Sequence, residues 1–344
     1  MLTHGHKNLG ILLLSLLLVP AAAGQITSDD VGTEKLAQTG FKFLKISTDA
    51  RVSAMAGAMT ATDLGSSVAM FYNPAGMATQ EAQVSASFGY TQWIADFNYS
   101  SASAAFNTGG FGVFGVSLIF ADYGEDFVGT VVASNDAGYA EYGDLGLSNP
   151  APTAFAVGLG YANAITDRFS VGGNAKYASQ DLGSIAVGAG GVAESNELST
   201  LAFDFGVLYR TGYESFNLAM SVRNFAQELN YVDENFELPL TFNVGVSMDV
   251  MDLTAAAGSN SLLVSVEAER PRDYAEQLRL GAEYSFSDLL FVRAGYVFPT
   301  DEEGVSLGAG VRHELSGVGL GVDYSFTTFG VFDNVQRFGL QLHF

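Results

Sequence analysis

The chain has 344 residues, with 15 Lys and Arg against 37 Asp and Glu, no Cys, 40 Gly and 48% apolar residues. A net charge of −22 excludes a binder of nucleic-acid phosphates, which needs clustered cations, and so high an apolar content with only 15% charged residues excludes a disordered chain. The lack of Cys excludes disulfides, thiolate metal sites and a cysteine nucleophile.

The first predicted element is an export signal. Ile11–Pro20 is the one long apolar run; Lys7 precedes it and Ala21–Gly24 follows. A positive n-region, a short h-region and a small-residue exit describe a secretory signal peptide over residues 1–24. The run is too short for a spanning helix, which needs ~20 apolar residues. Residues 25–344 contain no apolar run of helical membrane length, which excludes a helical membrane protein.

Residues 25–81 come next and do not alternate. Thr33–Ile46 reads as helical, Ala50–Ala61 is rich in small residues, and Asn73-Pro74 marks a turn within Val68–Ala78. The Gly and Ala density suits close backbone packing, so this segment is expected to plug a lumen.

From residue 82 to 344 the pattern has period 2. In Val318–Thr327, Val318, Leu320, Val322, Tyr324 and Phe326 alternate with Gly319, Gly321, Asp323, Ser325 and Thr327. Leu278–Phe286 and Leu240–Val250 read the same way. Successive side chains of a strand point to opposite faces, so each segment has one apolar face and one polar or Gly face. A soluble sandwich would bury the apolar face, whereas a membrane barrel turns it to lipid. Segments of ~10 residues, long enough to cross the hydrocarbon layer at a tilt, and apolar faces that end in Tyr or Phe favour the barrel. Candidate strands lie near 82–90, 97–107, 110–120, 152–164, 168–180, 200–210, 215–224, 239–250, 261–270, 276–286, 289–299, 304–314, 317–327 and 335–344. The expectation is an all-β fold: a 14-stranded antiparallel transmembrane β-barrel with an N-terminal plug, in the outer membrane of a Gram-negative bacterium, with both mature termini periplasmic. Short connections on one side and long ones on the other agree with that orientation.

Charges on the polar faces are mixed in sign. Glu267, Arg279, Glu283, Arg293, Arg312, Asp323 and Arg337 lie on neighbouring strands and are expected to form a ladder of lumenal ion pairs that braces the barrel and grips the plug through Arg51. The long connections 121–151 and 225–237 are acidic, but without EF-hand spacing they read as solvated loops, and no metal site or cofactor is assigned. Only His313 and His343 remain after the signal, and no nucleophile elbow, P-loop or dinucleotide fingerprint occurs, so no enzyme is expected.

Gly40–Ile46, Ala50-Arg51, Met55–Ala58, Tyr72–Ala78 and Gln92–Asp96 together resemble the N-terminal pattern of the PorV/PorQ family, within the wider group of FadL-like barrels. The resemblance implies a plug and gate at Arg51, Gly57, Asn73, Pro74, Ala75 and Gly76. It also implies type IX protein secretion, with a translocon and cargo C-terminal signal domains as partners beside the lipid bilayer. The alternative within the same group is transport of hydrophobic small molecules such as long-chain fatty acids.

Overall fold

The computed structural model describes residues 39–344 except 125–129, 135–137, 142–150, 187–192, 232–233, 255–259 and 302. The signal peptide, the first part of the expected plug and most of the acidic loop 121–151 lie outside the described residues.

The strands are β1 (Val84–Gln92), β2 (Asn98–Asn107), β3 (Val113–Asp122), β4 (Thr130–Ser134), β5 (Gly138–Glu141), β6 (Thr153–Thr166), β7 (Phe169–Ala186), β8 (Ala193–Arg210) and β9 (Asn217–Ala226). They continue as β10 (Leu229–Tyr231), β11 (Glu234–Phe236), β12 (Thr241–Asp249), β13 (Asn260–Pro271), β14 (Gln277–Phe286), β15 (Leu290–Phe298), β16 (Glu303–Leu315), β17 (Val318–Phe329) and β18 (Val335–His343). Fourteen of them form one closed antiparallel ring in chain order, while β4–β5 and β10–β11 are separate hairpins in the long connections. The ring shuts where β1 pairs with β18, from Ser85 opposite His343 to Gln92 opposite Gln336.

Alternation explains why these segments pair. On β3, Phe114, Val116, Leu118 and Phe120 point outward and are exposed, whereas Gly115, Ser117, Ile119 and Ala121 alternate with them on the inner face. The same apolar outer face recurs as Phe155, Val157, Leu159 and Tyr161 on β6 and as Leu320, Val322 and Tyr324 on β17. A continuous apolar belt around a closed ring is stable only against lipid, so this is a transmembrane β-barrel. No helix among the described residues is long and apolar enough to cross a membrane.

Connections 108–112, 167–168, 211–216, 250–259, 287–289 and 316–317 share one end, here the short-turn end, where β1 also begins and β18 finishes. The others share the long-loop end. One hairpin outgrows its expectation: β7 and β8 stay paired up to Ala186 opposite Ala193.

Residues 39–81 lie inside the ring and touch strands all round it, among them β1 through Gly89 and Thr48, β3 through Gly115 and Met70, β7 through Gly172 and Pro74, and β15 through Gly295 and Ala56. The described part of the expected helix 33–46 is not an α-helix. Thr39 makes a parallel bridge to Glu237, Phe41 is left-handed (φ 53°), and only a 3-10 turn, Lys42–Lys45, follows. Ala50–Ala61 holds one short helix, α1 (Ala50–Ala54), capped by the Asp49 carboxylate, which accepts from the Val52 N–H. The chain leaves helical geometry at Ala56 (φ 52°) and Gly57 (φ 81°).

Candidate functional site

The interior holds three arrangements. The first is the seat of the segment around Asn73. A 3-10 turn, Pro74–Thr79, starts there with Pro at its first position, where a missing N–H costs nothing. Asn73 is buried; its Oδ1 accepts from the Ala75 N–H at 3.1 Å, and its Nδ2 donates to Thr60 O at 2.8 Å and to Val207 O at 3.2 Å. One side chain thus joins its own turn, an earlier loop of the segment and the barrel wall. A Cβ on Gly206 would collide with the Asn73 amide, and one on Gly172 with the Pro74 backbone, so glycine is required at both places. Ala75 packs with Ala61, Leu208 and Ala219, and Gly76 lies against Ala69.

The second arrangement is ionic. Arg51 on α1 donates from Nε and Nη2 to the two oxygens of Glu283 on β14, at 2.8 and 2.7 Å. Glu283 also accepts from Arg293 Nε on β15, and Arg293 Nη1 donates to Asp323 on β17 at 2.6 Å. The planar guanidinium suits this bidentate contact, and both buried carboxylates are compensated. The other residues of the expected ladder sit elsewhere. Arg279 pairs with Glu269 at 3.0 Å and donates to Ala56 O, beside Gly57. Glu267 faces Arg279 across the ladder, yet accepts from the Thr60 N–H and hydroxyl, both at 2.9 Å. Arg337 donates to Ser47 O and the Thr327 hydroxyl. Arg312 forms no ion pair among the described residues; its guanidinium lies 4.4 Å from the centre of the Phe291 ring. Below Arg51 and Glu283 a polar cavity of about 450 Å³ opens toward the short-turn end, lined also by Thr62, Ser247, Asp249 and Arg312.

The third arrangement is apolar and sits at the long-loop end. Phe41, Phe43 and Leu44 are fully buried against Tyr99, Ile119 and Leu238, with Trp93, Phe97, Tyr123, Leu198, Leu229 and Phe236 packed around them. Trp93 stands edge-on to Tyr99 at 6.2 Å and has the Arg337 guanidinium 5.5 Å from its ring. Asp273, in the connection after β13, clamps this arm: it pairs with Lys45 at 2.7 Å and with Lys42, and accepts from the Thr39 hydroxyl. Burial by itself would raise the Asp273 carboxyl, but Lys45 and Lys42 outweigh it and hold it down at about 2.

Other interior residues differ in how far their sequence context marks them. Lys176 and Asp204 form a buried pair at 2.8 Å, with Asn174 and Asn224 completing the shell. The alternation had placed both charges on inward faces of adjacent strands, which was a usable signal. Asn224 had none, because it turns inward only through a β-bulge between β8 and β9, with φ 59°. Asp273 and its two lysines are more than 200 residues apart in sequence, and only the ring brings them together.

No family model and no curated protein sequence matches the chain. By structure it is similar to a Pseudomonas aeruginosa FadL homologue, with 13% identity, a TM-score of 0.54, and coverage of 86% of this chain and 98% of that one. It is also similar to the TodX monoaromatic hydrocarbon channel in its deltaS2S3 mutant form, with 11% identity, a TM-score of 0.54 and coverage of 86% and 97%. The chain has a FadL-type barrel fold. The deltaS2 mutant of TodX gives 10% identity, a TM-score of 0.50 and coverage of 84% and 96%. These neighbours lend nothing to the PorV/PorQ side of the resemblance or to the secretion role it implies.

Proposed function

We propose that this barrel sits in the outer membrane of a Gram-negative bacterium and passes hydrophobic small molecules inward, with residues 39–81 as its plug. The observation that carries the reading is the apolar chamber at the long-loop end. The other buried apolar clusters of the described interior are built mainly of Ala, Val, Met and Leu, whereas at that end aromatic and aliphatic side chains gather in a pocket filled by the chain's own Phe41, Phe43 and Leu44. Those three side chains stand where an apolar solute would be stabilised, by ~1.5–3 kcal/mol for a group the size of a Leu or Phe side chain. A solute enters by taking the place of Phe41 and Phe43. It then moves past the seat of Asn73 and the Arg51–Glu283 pair to the polar cavity beneath. The FadL homologue and the TodX channels supply the fold-level analogy for this cargo class, and the analogy is one of fold alone.

Trp93 is the only tryptophan of the chain and belongs to the chamber wall. Titration of the purified barrel with toluene, and separately with oleate, is expected to give a saturable change in its fluorescence with at least one of them. Leu198→Asp should abolish the change. A flat signal with both ligands would remove the transport reading. A deletion strain that loses surface proteins while its uptake is unimpaired would replace it with secretion.

A further inference from the structure

A large exposed apolar side chain stands at each of the six turns of the short-turn end: Phe111, Tyr213, Leu253 and Leu289 lie within the connections, and Ile165 and Leu315 on the last residues of the strands that lead into theirs. Phe111 is 80% exposed and Leu315 67%, more than most residues of the outer belt. Phe344, beside the junction of β18 and β1, adds a seventh. Turn tips that stand in water are ordinarily polar, because nothing there offsets the cost of exposed apolar surface.

The dimensions of the belt explain the pattern. On β3 the outward apolar residues run from Phe114 to Phe120, about 20 Å of strand at ~3.3 Å per residue. A strand tilt of ~40° reduces that to a height of about 15 Å, against the ~25 Å of an outer-membrane apolar band. Even the longer run from Leu290 to Phe298 on β15 rises only about 20 Å on the same geometry. Without the residues at the short-turn end the band is short at one edge; counted through Leu315, the outer row of β16 from Val305 rises about 25 Å. The turn residues are continuous with it: Phe106 and Phe114 flank Phe111, Phe286 and Leu290 flank Leu289, and Val311 precedes Leu315 along the outer face of β16.

We propose that the short-turn rim is a lipid-binding surface. Its apolar tips are sunk in the headgroup region of the leaflet on that side, so the barrel has almost no water-exposed lower rim. The charged neighbours on the same turns, Asp167, Arg168, Glu214, Asp252, Asp288 and Glu314, place the tips at the headgroup level, where apolar and charged groups coexist, and not in the hydrocarbon. The occupant is phospholipid, because the rim continues a belt that already faces it. A short apolar height is a mismatch that lipid meets by covering the turns. The polar cavity under Arg51 then opens at the membrane surface itself. This inference depends on the transmembrane barrel and not on the transport reading.

The chain has no native Cys, so Phe111→Cys, Ile165→Cys and Leu315→Cys each create one labelling site, and Asp333→Cys supplies an exposed polar reference position at the opposite end. Bimane is attached to each variant in phosphatidylcholine nanodiscs, and quenching by nitroxide-bearing lipid is compared with quenching by iodide. The three short-turn labels are expected to be quenched several-fold more by lipid than by iodide, with the order reversed at position 333. Iodide access equal to that of position 333 would overturn the proposal and leave the rim in water or facing a periplasmic protein. Variants are scored only after the heat-dependent gel shift of a folded barrel, and Tyr213→Cys and Leu289→Cys replace any that fails to fold.

Discussion

Arg293 is enclosed completely, with Glu283 on one side and Asp323 on the other. A buried charge stripped of its partner is far more costly than a buried pair, so the two possible disruptions here differ in outcome. Arg293→Met leaves Asp323 without a cation and Glu283 with Arg51 alone, and is expected to lower the stability of the barrel by about 3–5 kcal/mol. Arg293→Met combined with Asp323→Leu removes the orphaned carboxylate and should recover much of that loss. Urea unfolding of both variants in the same micelle checks the difference. Asp273 behaves differently because it titrates within reach of experiment. Its folded value of about 2 lies below the ordinary 3.8, so the clamp contributes in full above about pH 4 and is lost as the pH falls through about 2. If the arm at Lys42 and Lys45 gates the chamber, bilayer conductance at pH 2 should exceed that at pH 5. Asp273→Asn should then show the raised conductance at both.

At the scale of elements, the inner segment is seated by the strands and adds little regular structure of its own. α1 has five residues, far below the length at which a helix is stable alone. Its position comes from the Asp49 cap, the Arg51–Glu283 pair and the glycine-lined wall. Gly206→Val separates the two parts of the molecule. The added side chain collides with the Asn73 amide, while the backbone ladder between β8 and β9 is untouched. The variant is expected to fold as a heat-modifiable barrel and to conduct more than the parent in planar bilayers; unchanged conductance would show that this seat does not close the lumen. The same contrast explains what was readable beforehand. All fourteen ring strands follow from alternation, because lipid outside and glycine, serine or charge inside leave a two-residue signal in each one. The signal stops where the lipid stops. The outer parts of β7 and β8 stay paired to Ala186 and Ala193, where no alternation in the sequence marks a strand. β4–β5 and β10–β11 were invisible for the same reason. Thr33–Ile46 misled because an apolar stripe from Phe41 to Leu44 looks alike whether it faces a helix neighbour or fills a chamber, and the left-handed Phe41 that decides the matter has no sequence mark. Arg51 could be read as a partner for wall charges, but the choice of Glu283 depends on how the segment lies across the ring.

For the whole molecule, stability and cargo route both depend on which solvent each face meets. The outer face exchanges water for lipid, so its apolar residues are neutral to substitution among themselves and intolerant of charge. Leu159 stands mid-strand on β6, is 67% exposed and belongs to that face. Leu159→Arg is therefore expected to cost about 2–4 kcal/mol in a bilayer, the range for a cation near the midplane of a barrel's lipid face. In detergent micelles, which deform around a long side chain, the cost should fall well below that, and the ratio of the two is the informative quantity. Equal losses in both media would mean that position 159 packs against protein, and would place a second subunit against β6 in the membrane. The inner face obeys the opposite rule, since its charges persist only as pairs or with backbone partners. A solute crossing this barrel must pass from the apolar chamber under Phe41 to the polar cavity below Arg51 without unpairing Glu283. That constraint favours small, uncharged cargo, and it predicts that transport discriminates against a second carboxylate on an otherwise identical molecule. Uptake of a dicarboxylic acid and of its monocarboxylic analogue into liposomes that carry the reconstituted barrel would measure that discrimination directly.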